Sequence, residues 1–150
     1  MKKFLALASA VVVLTVAMTS TASADGTYHS ERIPLHAIDD APLRSGSVVN
    51  IHANGPTVFA LERYTLNGAL GNHDYELVLM VTPFDPLCES DAVAFASVPM
   101  STNVAGNSHA GSRITPEQVA GLDGTHGVNW MVFDGDTPVY ETGCQVVVLD

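Results

Sequence analysis

Tyr75-Glu76-Leu77-Val78-Leu79-Met80-Val81-Thr82 is the stretch whose reading decides the fold. In an extended chain, side chains alternate between faces, so Tyr75, Leu77, Leu79 and Val81 share one face and Glu76, Val78, Met80 and Thr82 the other. The pattern predicts a strand with an apolar side turned to a core. Working outward, similar short runs recur between Gly, Pro, Asn and Asp clusters. Val48 to Ala53 precedes a turn at Asn54-Gly55-Pro56, and Thr57 to Leu66 ends at Asn67-Gly68. Ala92 to Pro99 and the more polar Gly106 to Ile114 follow. Gly127 to Phe133 sets Val128, Trp130 and Val132 on one face. Asp134-Gly135-Asp136 then turns the chain into Thr137 to Glu141 as a hairpin. Gln145 to Asp150 carries valines on both faces, as a strand buried on two sides does.

Only Thr115 to Gly121 has a helical signature. Thr115 can cap, Pro116 suits the first turn, Gln118 stands three residues past the cap, and Gly121 ends it. Seven or eight evenly spaced strands with one short helix predict an antiparallel β-sandwich of immunoglobulin-like or related topology. The order Cys, Trp, Cys is present, but Trp130 lies much closer to Cys144 than to Cys88. Tyr140 stands four residues before Cys144, so the tyrosine-corner spacing is absent.

The N-terminus predicts export. Lys2 and Lys3 precede an apolar run from Phe4 to about Met18, and Ala22-Ser23-Ala24 presents small residues for cleavage between Ala24 and Asp25. The run is about 15 residues, short of the ~20 needed to span a bilayer, so no stable membrane insertion is expected after cleavage. The organisation is then a signal peptide over 1–24, an extended arm or weak first strand over 25–45, and the β domain over 46–150. Cleavage removes both lysines and leaves Arg32, Arg44, Arg63 and Arg113 against sixteen acidic residues. So acidic a chain repels nucleic acid, whose binding depends on neutralising phosphates. Cys88 and Cys144 are the only cysteines. In an oxidising compartment, periplasmic or extracellular, they have one possible intramolecular pairing, and they lack the Cys-x-x-Cys spacing of redox and zinc sites.

Two further stretches carry a resemblance. One comprises Gly46, Val48, Asn50, Asn54-Gly55-Pro56, Glu62 and Tyr64. The other comprises Val128, Trp130, Gly135, Tyr140, Thr142, Cys144 and Val148-Leu149-Asp150. With Thr102-Asn103, Gly106-Asn107 and Thr115-Pro116, they resemble small exported bacterial β-sandwich proteins of unassigned function. The resemblance implies a fold and an address, and it carries over no functional residue. A more distant likeness to the copper/zinc superoxide dismutase sandwich lacks that family's His-x-His pair and bridging histidine, so its activity is not carried over.

Candidate chemistry is scattered. Of the histidines at 29, 36, 52, 73, 109 and 126, no two are spaced i, i+2 or i, i+4. His73, His109 and His126 fall in loops or at strand ends and are the candidate copper or zinc ligands. All six sit among Gly, Asn or Asp, as exposed loop histidines do. Gly106-Asn107-Ser108-His109-Ala110 approaches a nucleophile elbow, but the alternating α/β sheet that such an elbow needs is missing. Asp74 with Glu76 could place two carboxylates on one face, as glycosidases require. Asp134-Gly135-Asp136 offers calcium-type oxygen ligands, and a hairpin turn explains it equally. No catalytic residue and no cofactor is therefore assigned. The sequence predicts an exported, non-enzymatic module that binds a protein or glycan through loops or an exposed sheet face. The alternatives are a metal-binding protein or enzyme using copper, zinc or calcium, and a structural envelope component.

Overall fold

The computed structural model of the chain describes residues 29–52 and 60–149. The signal segment 1–24, the Ala24–Asp25 junction and the Asn54-Gly55-Pro56 turn lie outside the described residues. Nine strands form among the described residues: β1 (His29–Ala37), β2 (Ser45–His52), β3 (Ala60–Asn67), β4 (Asp74–Thr82), β5 (Val93–Ser101), β6 (Ser108–Ile114), β7 (Gly124–Asp134), β8 (Thr137–Glu141) and β9 (Gln145–Leu149). Every ladder between them is antiparallel. The segment read as an arm or weak first strand thus supplies a full strand.

The strands run in the order β5-β4-β7-β8-β1-β2-β3-β6, with β9 added beside β7. β1 joins the two halves end to end. Its positions 29–35 pair with β2, and His36 and Ala37 pair with β8. Pro34, which has no N–H to donate, falls where β1 has only one ladder neighbour. β5 and β6, at the two ends of the path, lie against each other without a ladder. The strands therefore make a nearly closed antiparallel barrel where the sequence led us to expect a two-sheet sandwich. The difference comes from β1, which is long enough to serve both halves.

The alternation in Tyr75–Val81 is realised: Tyr75, Leu77, Leu79 and Val81 all point into the core, as do Val128, Trp130 and Val132 of β7. Ile33, Leu35, Val48, Tyr64 and Leu66 meet them from the other half. Burying one such aliphatic side chain contributes about 1.5–3 kcal/mol. One end of the interior is closed by a chain of hydrogen bonds. The Leu70 amide donates to the Tyr75 hydroxyl at 3.2 Å, and the Tyr140 hydroxyl donates to the Pro42 carbonyl at 2.9 Å. The two hydroxyls lie 3.3 Å apart. Because the Tyr140 proton is committed to Pro42, Tyr75 is the donor between them.

Two expectations are corrected. Thr115–Gly121 forms consecutive turns, and no helix occurs among the described residues. The expected cap contacts do form, with Gln118 N–H donating to Thr115 O at 3.1 Å and Thr115 N–H to Gln118 Oε1 at 2.8 Å. The segment is too short to offset the cost of helix nucleation, and Gly121 leaves helical space at φ 82°. β9 is not buried on both faces: Val146 and Val148 are 60% and 61% exposed, and of its three valines only Val147 packs against the core. β9 pairs with the start of β7 alone, so one of its faces stays outside the barrel.

Candidate functional site

Cys88 and Cys144 form the predicted disulfide, their Cα atoms 6.0 Å apart across a sequence separation of 56. It ties the loop after β4 to the β8–β9 connection over the outside of β7. Gly127 of β7 lies beneath it, where a Cβ would come within 2.5 Å of both Cys88 Sγ and the Asp85 carbonyl. The same loop is folded around the Asp85 carboxylate. It accepts the Ser90 hydroxyl and the amides of Leu87, Glu89 and Ser90. These bonds, the Ser90 hydroxyl's first, hold the Asp85 carboxyl below its ordinary value.

The three candidate metal ligands do not converge, and among the described residues no three His, Cys, Asp or Glu side chains form a metal-sized cluster. His73 is half-buried, with Nε2 3.0 Å from Asp134 Oδ1, close enough for an ion pair though out of line for a hydrogen bond. His109 is exposed on β6, its Nδ1 3.4 Å from the Thr65 hydroxyl. His126 departs most from the sequence reading, because it is buried rather than an exposed loop residue. Its Nδ1 accepts the Phe84 amide at 3.2 Å and its Nε2 donates to the Leu122 carbonyl at 2.7 Å. Both ring nitrogens are thus committed to backbone, and the side chain pins two loops to the barrel. Ser108 is also buried, and the Asp134-Gly135-Asp136 turn joins β7 to β8.

The sequence reading passed over a basic surface. The register sets Arg32 of β1, Val49 of β2, Arg63 of β3 and Gly111 of β6 in one row across the barrel wall. Arg113 and His109 stand two residues to either side of Gly111 on the same face. Arg32, Arg63 and Arg113 are all exposed, and no described carboxylate pairs with them. Arg32 and Arg63 are two strands apart, about 10 Å. Gly111 lowers the floor beside Arg63 and Arg113, and the face carries an open, shallow groove of about 700 Å³. Of sixteen acidic residues, only Glu31 and Glu62 occur on β1, β2, β3 and β6. Three of the chain's four arginines therefore share one exposed wall of an acidic protein.

Glu62 points the opposite way, into the barrel, and is 3% exposed. Its Oε2 accepts Trp130 Nε1 at 3.0 Å and also the Tyr64 hydroxyl. Burial raises the Glu62 carboxyl above its ordinary value and outweighs the lowering by these two donors. Burial likewise raises the Tyr64 hydroxyl, helped by the adjacent Glu62 charge. Asn50 faces Glu62 directly across the β2–β3 ladder, 7% exposed, with no partner for its Oδ1. Beside the pair is a cavity of about 50 Å³ walled by Leu79, Val81, Ile114, Val128 and Trp130. Its half-buried lining residues Phe95, Val119, Leu122 and Val147 mark the side on which it reaches the surface. Phe95 is the extra residue of a bulge opposite Leu79 and Met80, which turns it toward this opening. Glu62 had a legible signal: it keeps the parity of Tyr64 and Leu66, placing a charge in phase with core residues.

Comparison with family models, curated proteins and solved structures finds no match to this chain.

Proposed function

We propose that this chain is an exported, non-enzymatic binding module that holds an acidic glycan on the outer wall of β1, β2, β3 and β6. The observation that carries this reading is the placement of Arg32, Arg63 and Arg113 on one exposed face otherwise poor in acids. Arginine forks match carboxylate and sulfate oxygens two at a time, and unpaired guanidinium groups leave that capacity open. The remaining outward groups favour a sugar polymer over a protein. Thr65 and His109 offer hydrogen bonds, and no described aromatic side chain stands on this wall to anchor a protein interface. Export is supported by the basic-apolar-small pattern ending at Ala24 and by a disulfide, which persists outside reducing compartments. On this reading the chain belongs with the small exported bacterial proteins that it resembles in sequence.

Affinity electrophoresis through polygalacturonate tests the reading. Wild-type protein is expected to be retarded, less so as salt rises, and not retarded by neutral dextran. Arg63→Ala combined with Arg113→Ala should abolish the retardation while leaving thermal unfolding unchanged. Equal mobility in both polysaccharides, or retardation that survives the double substitution, would overturn it.

A further inference from the structure

From a different part of the molecule, we infer that the barrel interior beside Glu62 and Asn50 is a binding site for a small aliphatic amine. The pocket lacks positive charge, and the donors within it leave one acceptor unmet. Glu62 Oε2 already receives Tyr64 and Trp130, and no described cationic side chain pairs with the carboxylate. Asn50 Oδ1, directly opposite, is buried with no donor. His126 can supply nothing, because both its nitrogens are bonded to backbone. A buried carboxylate is costly unless paired, and a buried carbonyl costs more unmet than bonded. An alkylammonium head brings three donors and one positive charge, meeting both demands together. Its hydrocarbon body would lie on Leu79, Val81 and Val128. By volume, the cavity of about 50 Å³ has room for roughly three to five water-sized groups, so the amine is short. Water could satisfy the Asn50 carbonyl but would not supply the charge.

Trp130 is the chain's only tryptophan and touches both Glu62 and the cavity, so its fluorescence reports occupancy directly. The disulfide-bonded protein is titrated with isobutylamine and, separately, with isobutanol, at fixed pH and ionic strength. The amine should shift Trp130 emission saturably, with a Kd of about 1 mM or tighter. The alcohol should bind about tenfold more weakly or worse, since it lacks the charge. Glu62→Gln keeps an acceptor for Tyr64 and Trp130 and should remove the preference for amine. Val128→Phe fills the cavity without touching Glu62 and should remove binding of either compound. Circular dichroism confirms that each variant folds, and a variant that does not fold leaves the two-ligand comparison in the wild type decisive. No saturable response to the amine, or equal affinity for amine and alcohol, would overturn the inference.

Discussion

Trp130 Nε1 donates to Glu62 Oε2 at 3.0 Å, linking the two halves of the barrel through residues 68 positions apart. The bond ties β7 to β3, which share no ladder. Both side chains are buried, so a donor that loses this acceptor is left without a protein partner.

Replacing Glu62 should therefore depend on what replaces it. Glu62→Ala leaves the Trp130 N–H and the Tyr64 hydroxyl without an acceptor, at about 1–3 kcal/mol each. Glu62→Gln retains an acceptor and is expected to unfold within about 1 kcal/mol of wild type at neutral pH, since it also removes a buried charge. Urea denaturation followed by Trp130 emission distinguishes the two.

Two carboxyls give opposite pH dependences. The Glu62 carboxyl is raised above 4.5 by burial, so the folded chain holds that proton more tightly than the unfolded chain. Its contribution to stability falls as pH rises from 4.5 through the folded value. The Asp85 carboxyl is lowered below 3.8 by its hydrogen bonds. Its contribution is complete above 3.8 and is lost as pH falls through the folded value. Urea midpoints measured from acid to neutral pH should lose the first slope in Glu62→Gln and the second in Asp85→Asn.

The disulfide closes a long loop. In the loop-entropy model its removal costs about 4 kcal/mol, so Cys88→Ser should lower the melting temperature and leave Cys144 free to form disulfide-linked dimers. Differential scanning calorimetry and non-reducing electrophoresis check both outcomes. An unchanged melting temperature would mean that the loop holds without its covalent tie.

Gly127→Ala should be costly for a steric reason alone. Its Cβ would approach the Asp85 carbonyl and Cys88 Sγ at 2.5 Å, and neither atom can swing aside without moving the tied loop. A loss of about 1–3 kcal/mol is expected in urea denaturation of the variant with its disulfide intact.

β4 and β7 were legible because each alternates cleanly over Tyr75–Val81 and Val128–Val132, whereas β5 is broken by its bulge and β9 by valines on both faces. The disulfide was legible because only two cysteines exist. Closure was not. It rests on two residues, His36 and Ala37, reaching β8, and nothing in the local pattern of β1 names that partner. The burial of His126 was hidden because the sequence pattern starts the strand only at Gly127, which leaves His126 in the loop before it, whereas β7 starts at Gly124. The arginine wall was invisible for another reason: Arg32, Arg63 and Arg113 are far apart in sequence, and only the ladder register makes them neighbours.

The junction at β1 also orders events as the chain folds. β1, β2 and β3 follow one another and can zip together from local contacts alone. The second partner of β1 comes much later, and the Tyr140 hydroxyl reaches back 98 residues to Pro42. Until β8 is available, the end of β1 keeps a bare edge, and the first half of the wall stands as an open curl. Pairings this remote slow folding, because the chain loses the entropy of a large loop before any contact returns it. Barrel closure is accordingly expected to be the slow, late step, and a chain shortened before β8 would leave His36 and Ala37 without their ladder partners.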